Sequence, residues 1–213
     1  AIDRRLTTEF PAFADLQQPA PLNLAAVQSR LRQNEILLFY ADTGKLGATL
    51  AETFLWVVPQ SGAPQWFRIP RATGELVAAV RELRENMGVG AVTRGPKALT
   101  ANNTAGRQDK VLTAASQLYA ALLGEAAPLL AGRDLIVVPS RALGSLPFHA
   151  LVSELPAATS TDAYRDARWL AREHAITILP SVSALVAPET SVVVAADTRQ
   201  PYLAFANPLL TGR

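Results

Sequence analysis

Short apolar runs separated by polar turns dominate the first third of the chain. The runs at residues 35–40 (EILLFY), 53–59 (TFLWVVP) and 65–70 (QWFRIP) have the length and the β-branched and aromatic content of strands. Turns that contain Gly, Pro and Ser separate them. The pattern therefore predicts three strands, joined as hairpins at one side of a sheet.

Two longer segments repeat their apolar residues at helical spacing instead. From Thr73 onward, the sequence TGELVAAVRELRENM places apolar residues three and four positions apart, and Gly88 ends the pattern. A second helical pattern begins at Asp109. Residues 92–108 between the two patterns are polar and predict a flexible loop. A short helix is also expected after Asn23, which can cap it.

The second half of the chain alternates strands with shorter helices. Residues 135–138 (LIVV) are apolar without alternation, which is typical of a central parallel strand covered on both faces. Residues 175–179 (AITIL) predict a further strand, and Ser181 is the expected N-cap of the helix after it. Residues 192–196 are expected to form a strand or a stiff linker, and residues 202–206 a last strand. The order β-β-β-α-α-β-α-β-β predicts an α/β fold with a mixed sheet and flanking helices.

Composition excludes several classes of function. Hydrophobic residues make up 49% of the 213 residues, which is enough for a packed core. The formal charge of +2 comes without a long basic run, so neither a nucleic-acid partner nor a membrane partner is expected. The chain contains no cysteine, which removes disulfides, thiolate metal ligands and a cysteine nucleophile from it. A cytoplasmic location is expected, because this composition fits a reducing compartment.

The stretch LIVVPSRALGSLPFHAL, residues 135–151, holds the strongest candidate for catalysis. A buried strand leads there into Ser140, Ser145 and His149. A general base needs a nucleophile within reach and a group that orients its ring, and no Gly-x-Ser-x-Gly elbow surrounds either serine. We therefore expect His149 to be a packing or turn-bonding residue. A serine hydrolase that uses Ser140 or Ser181 with a histidine stays open as a minor alternative.

Other residues with chemical potential also favour structural roles. His174 is expected to be a structural residue where a strand begins. The glycines at positions 88, 90 and 95 follow a helix and lack the Lys-Ser/Thr of a phosphate loop. Three carboxylates on one predicted helix lie among arginines and indicate a solvated face rather than a metal site: Glu75, Glu82 and Glu85. The sequence therefore predicts no catalytic, cofactor-binding or metal-binding residue.

The three tryptophans lie in or beside apolar strands. Core packing is the expected role of a single large aromatic residue in such a position. The prediction applies to Trp56, Trp66 and Trp169.

Longer stretches of the chain carry a resemblance to a known family. They are VQSRLRQNEILLFYADTGKLGATLAETFLWVV (27–58), LYAALLGEAAPLLAGRDLIVVPSRALGSLPFHALV (118–152) and WLAREHAITILPSVSALV (169–186), followed by LAFANPLL at 203–210. In this order they resemble the N-terminal half of the CHAT family, whose caspase-like domains are often found behind tetratricopeptide repeats. One departure is Ser140-Arg141, where the family usually shows an Asp-Gly type of turn.

The resemblance implies both a fold and a chemistry. The implied fold is a caspase-like mixed sheet with flanking helices in three layers. The implied chemistry is that of a cysteine peptidase, in which a thiolate attacks the peptide carbonyl and an imidazole handles the proton. In the family the catalytic His and Cys follow strands downstream of the LAFANP-like strand, and neither His149 nor His174 matches that His. The resemblance therefore implies a non-catalytic half, inactive alone, that packs against a C-terminal caspase-like half.

The expected domain organisation follows from the same resemblance. Residues 1–22 are expected to be an irregular segment or the end of an upstream region, and residues 23–188 the non-catalytic half. Residues 189–213 are expected to be a linker and the first strand of the second half. Because the chain starts without Met and ends at Arg213, we expect it to be a piece of a longer polypeptide, with Arg213 either a processing site or an arbitrary end.

Further partners and an alternative function remain open at this point. Upstream tetratricopeptide repeats or a protein substrate are expected as additional partners. The alternative is a non-enzymatic, protein-interaction or regulatory α/β domain. Such a domain would bind its partner through the loops at residues 92–108 and 153–167, since loops carry function on rigid scaffolds.

Overall fold

The fold is that of a computed structural model. It describes four parts of the chain, which are residues 22–44, 51–89, 104–157 and 162–186. The elements expected at 192–196 and 202–206, and most of the loop expected at 92–108, lie outside these residues.

Five strands form one mixed sheet. They are β1 (Glu35–Asp42), β2 (Thr53–Pro59), β3 (Gln65–Arg68), β4 (Asp134–Val138) and β7 (Ile176–Ile178). Their order across the sheet is β3-β2-β1-β4-β7. The pairs β3–β2 and β2–β1 are antiparallel, whereas β1–β4 and β4–β7 are parallel. The predicted hairpin strands and the predicted central parallel strand are therefore confirmed.

Two very short strands and seven helices complete the described part of the chain. Strands β5 (Val152–Glu154) and β6 (Arg168–Trp169) pair antiparallel in a separate sheet. The helices are α1 (Leu24–Gln28), α2 (Thr73–Asn86), α3 (Thr104–Leu123), α4 (Ala127–Leu130), α5 (Ala163–Asp166), α6 (Leu170–Glu173) and α7 (Val182–Val186). Single 3₁₀ turns lie at Arg141–Leu143 and Phe148–Ala150.

Two of the predicted loops contain regular structure. Helix α3 begins at Thr104, earlier than the expected start at Asp109, and so takes the end of the first loop. Strand β5 and helix α5 lie within the stretch 153–167, where a loop was expected. Elements of three or four residues are too short to show a period, so the loop prediction was wrong there.

Local signals begin and end the helices as the sequence predicts. Asn23 caps α1, with its Oδ1 accepting a hydrogen bond from the Ala26 N–H at 2.7 Å. Ser181 caps α7 in the same way, accepting from the Ala184 N–H at 3.3 Å. Helix α2 ends at Asn86, and Gly88 follows two residues later. Gly88 has a φ of +80°, a left-handed conformation that glycine adopts with little steric strain.

The sheet lies between two helical layers. Because successive side chains of a strand point to opposite faces, β1 contributes to both. Ile36, Leu38 and Tyr40 face the larger core, which includes buried residues of α2 and α3. Leu37 faces the smaller core with α1 and α7. The three-layer α/β arrangement with a mixed sheet is thus confirmed.

The tryptophans differ from one another in their surroundings. Trp66 is 62% exposed, so the prediction that it packs in the core was wrong. Trp66 lies opposite Trp56 of β2 on β3, which is an edge strand among the described residues. The four residues of β3 are too few for their sequence pattern to indicate an edge strand. Trp56 is half-buried on the smaller core. Trp169 is half-buried against the larger core and donates its indole N–H to the Tyr164 carbonyl at 2.8 Å.

Candidate functional site

The catalytic candidate His149 lies in the second 3₁₀ turn with its side chain exposed. Its neighbours Phe148 and Ala150 are buried instead. Its ring forms no hydrogen bond to the described residues. The expectation that His149 packs or bonds the turn was therefore wrong, because the turn directs the adjacent side chains inward and this one outward.

The candidate serines are not paired with a histidine among the described residues. Ser140 is buried at the carboxyl end of β4, and its hydroxyl has no hydrogen-bond partner there. Ser145 is exposed, and Ser181 caps α7. A serine nucleophile needs a base within hydrogen-bond reach, and the described residues provide none.

His174 connects the beginnings of two parallel strands. Its Nδ1 lies 2.7 Å from the carbonyl oxygen of Arg133, which directly precedes β4, while His174 itself precedes β7. A carbonyl only accepts, so Nδ1 carries the hydrogen and Nε2 of the neutral ring is left as an acceptor. The structural position expected for His174 at the start of a strand is confirmed.

The carboxylates and glycines of the helix α2 region carry no binding geometry. Glu85 lies 3.9 Å from Arg81 with both side chains largely exposed, and Glu75 and Glu82 are exposed on the same helix. Gly88 ends the helix, and the glycines at 90 and 95 lie outside the described residues. In the described ranges, no three His, Asp or Glu residues come together as a metal site would require.

The carboxyl edge of the sheet, where parallel sheets commonly bind ligands, carries a closed hydrogen-bond cluster. We call it the Asp42 clamp. Asp42 ends β1, and its Oδ1 accepts from the Thr53 hydroxyl at 2.8 Å. Its Oδ2 accepts from the Ala142 N–H at 3.1 Å. Thr53 is fully buried and also lies 3.1 Å from the Thr73 hydroxyl. These hydrogen bonds link β1, β2, α2 and the first 3₁₀ turn, and they satisfy the polar groups of the cluster with one another.

A cavity of about 560 Å³ lies at the opposite, amino edge of β4 and β7. We call it the amino-edge cavity. Its polar lining comes from Tyr119, Ser153, Glu154, Arg168, Glu173 and His174. Strands β5 and β6 bring Glu154 and Arg168 together, and helix α6 supplies Glu173. Ser153 and Glu154 lie within the predicted binding loop at 153–167, and His174 was a single candidate, but no sequence pattern brought these residues together with Tyr119, Arg168 and Glu173.

Arg168 holds the charged groups of this cavity together. It donates to Glu154 at 2.8 Å through Nη1 and to Glu173 through Nη2. The hydrogen bond to Glu154, and then the Glu173 carboxylate, raise the pKa of the Arg168 guanidinium. Ser153 donates its hydroxyl to the other Glu173 oxygen at 2.6 Å. With a single guanidinium between two carboxylates, the cluster keeps one excess negative charge.

Tyr119 contributes a neutral hydroxyl to the same cavity. Burial raises the pKa of Tyr119, and the Glu173 carboxylate raises it further, while Arg168 acts in the opposite direction. The phenol therefore stays protonated at neutral pH.

The three-layer arrangement around a mixed sheet defines an α/β protein consistent with a caspase-like fold. Residues 112–213, slightly less than half of the chain, match the family model of the CHAT domain. The match confirms the CHAT resemblance and includes β4, β7 and the residues of the amino-edge cavity. No curated protein and no solved structure matches the chain. In the described ranges, no helix has the length and apolar character required to cross a membrane.

Proposed function

We propose that this chain is the N-terminal, non-catalytic half of a CHAT cysteine endopeptidase of the cytoplasm, inactive alone. Two observations support the proposal. The CHAT match shows a domain related to caspase-like peptidases, and the 213 residues contain no cysteine to act as nucleophile. The catalytic Cys and His are then contributed by a second, caspase-like half of the same protein.

The observation that carries the proposal is the one-sided pairing of β7. The Ala175 carbonyl accepts from the Leu135 N–H at 2.8 Å, and the Leu179 N–H donates to the Val137 carbonyl at 2.8 Å. Alternate residues of a strand bond on opposite sides. The N–H and C=O groups of Ile176 and Ile178 therefore point to the other side of β7, where no described strand pairs with them.

This open edge fits the docking of another strand. A row of unpaired backbone groups is a template for strand addition. The side chain of Ile178 is 49% exposed, so the edge also offers apolar surface. We propose that a strand of the catalytic half, outside these 213 residues, extends the sheet at β7, which makes the two halves one continuous sheet.

Labelling of the natural protein that contains this chain tests the catalytic assignment. An irreversible peptidyl inhibitor of cysteine peptidases is expected to modify a cysteine outside these 213 residues, as read by mass spectrometry of the labelled peptide. The chain alone should cleave no peptide of a quenched-fluorescence library. Labelling of Ser140 or Ser181 by a fluorophosphonate would overturn the proposal and favour a serine hydrolase.

Hydrogen exchange tests the docking edge separately. In the isolated chain, the amides of Ile176 and Ile178 should exchange fast, whereas Leu179, which donates to β4, should be protected. In the natural protein, Ile176 and Ile178 should become protected as well. If they exchange equally fast in both forms, the edge is not the docking surface. A partner that binds the isolated chain with no catalytic half present would instead favour an interaction domain.

A further inference from the structure

The amino-edge cavity has no part in the proposed docking of a catalytic half. It opens at the strand ends opposite to those where parallel sheets place active sites. It combines a volume of about 560 Å³ with side chains of defined hydrogen-bond roles. The cavity is therefore a candidate binding site that is separate from the docking edge at β7, and the charges of its lining indicate the kind of ligand.

The guanidinium and the serine hydroxyl of the cavity donate to its own carboxylates, whereas two acceptors have no described partner. Arg168 directs both terminal nitrogens to carboxylates, and Ser153 donates to Glu173. Glu154 uses only Oε2 for Arg168, and its Oε1 accepts from no described residue. The His174 Nε2 is left as an acceptor because Nδ1 donates to the Arg133 carbonyl.

An anion would not fit this arrangement. It would meet the excess negative charge of Glu154 and Glu173, and Arg168, the one guanidinium among the described residues of the lining, is bonded to both of them. A cationic donor gains from the same charge and from the free acceptors. The alkyl stem of such a ligand can lie along the apolar part of the lining, which is formed by Ala127, Leu130 and Ala131.

We propose that the amino-edge cavity binds a guanidinium or alkylammonium group. The group bonds to the free oxygen of Glu154 and to the Nε2 of His174, and the net negative charge of the cluster attracts it. Such a group can belong to a small amine or to the arginine or lysine side chain of a protein partner. The two sources share this chemistry and differ in whether a peptide is required.

Titration of the full 213-residue chain with two matched pairs of probes tests the proposal. The first pair is butylguanidinium and neutral butylurea. The second pair is a capped Ala-Arg-Ala peptide and the same peptide with citrulline in place of arginine. The amide NMR signals of Gly132, Ser153 and His174 report binding, because these residues line the cavity. Only the cationic member of a pair should shift them, and added salt should weaken the binding.

Glu154→Gln is the test variant, and Glu82→Gln is its control. Both side chains are exposed and both changes remove one negative charge, but Glu82 lies on α2 away from the cavity. Loss of one charge-assisted hydrogen bond is expected to weaken cation binding about tenfold in Glu154→Gln and to leave it unchanged in Glu82→Gln. An unchanged tryptophan fluorescence spectrum and an unchanged urea midpoint of unfolding verify that Glu154→Gln is folded.

Each outcome decides the proposal. Binding of butylguanidinium identifies a site for small cationic ligands, and binding of the arginine peptide alone identifies the side chain of a protein. Equal binding of the urea or citrulline probe would overturn the proposal, as would binding unaffected by Glu154→Gln or binding of none of the four probes at millimolar concentration. None of these measurements depends on peptidase activity, so they fail or succeed independently of the proposed function.

Discussion

Removal of the Asp42 carboxylate should destabilise the fold more than most single changes near the surface. Asp42→Ala deletes two hydrogen bonds, one from the Thr53 hydroxyl and one from the Ala142 N–H. Thr53 keeps its contact with Thr73, but Ala142 N–H loses its partner in a residue that is only 8% exposed. A hydrogen bond to a charged group contributes roughly 1.5–3 kcal/mol, and a buried unpaired donor costs roughly 1–3 kcal/mol. Because Asp42 itself is only half-buried, we expect a loss of about 3 kcal/mol in the free energy of unfolding.

Urea unfolding followed by circular dichroism measures this loss. Asp42→Asn keeps one carbonyl oxygen and should lose about half as much. Asp109→Ala removes an exposed carboxylate on α3 and should change stability by less than about 0.5 kcal/mol. A double-mutant cycle between Asp42→Ala and Thr53→Val isolates the contact of the two side chains, with an expected coupling of about 1–2 kcal/mol.

Two results would refute the reasoning about the clamp. A loss below about 1 kcal/mol in Asp42→Ala would mean that water replaces the carboxylate at the sheet edge. A coupling energy near zero between Asp42 and Thr53 would mean that the buried hydroxyl relies on Thr73 instead. In either case the carboxyl edge is held by the strand pairing and not by this cluster.

Three further changes test other parts of the fold. Burial raises the pKa of Tyr40, so the phenol of the unfolded state loses its proton at a lower pH than that of the folded state. The free energy of unfolding should therefore fall as the pH rises above about 10. Urea unfolding over this pH range should show a smaller fall in Tyr40→Phe. Gly88→Ala places a Cβ at a φ of +80° and 2.5 Å from the Arg107 side chain, and should cost about 1–2 kcal/mol, whereas Gly74→Ala, which meets open space, should cost nothing. His149→Ala should change the melting temperature by no more than an ordinary surface substitution, and a loss above about 1 kcal/mol would mean that its exposed ring makes contacts outside the described residues.

The sequence predicted the parts of the fold that depend on local signals. The apolar run of β4 indicated a strand covered on both faces, and β4 does lie between two parallel neighbours. The glycine at 88 and the caps Asn23 and Ser181 marked helix ends because each acts on backbone groups within a few residues. The CHAT resemblance supplied the layer arrangement, which no local pattern contains.

The remaining features depend on which element neighbours which in space. Trp66 has the residue type of a core position, but it lies on β3, which is an edge strand among the described residues, and its ring is exposed. The amino-edge cavity combines residues from Tyr119 to His174, and its cluster forms only because β5 pairs with β6. The spacing of these residues along the chain does not predict such a cluster, since each charged residue by itself is typical of a solvated surface.

The stretch LPFHAL, residues 146–151, packs its apolar side chains inward and leaves its histidine exposed. Its residues Leu146, Phe148 and Leu151 are 4%, 1% and 0% exposed, and Phe148 packs against Tyr40 with ring centroids 5.8 Å apart. These apolar residues pack into the larger core and so hold the segment after β4 against it, whereas His149 lies on the exposed side of the turn. The part of the motif that the structure uses is therefore its packing. In the supporting half proposed above, this packing keeps the parallel strands in place, so that the β7 edge is ready for the strand that the proposal adds to it.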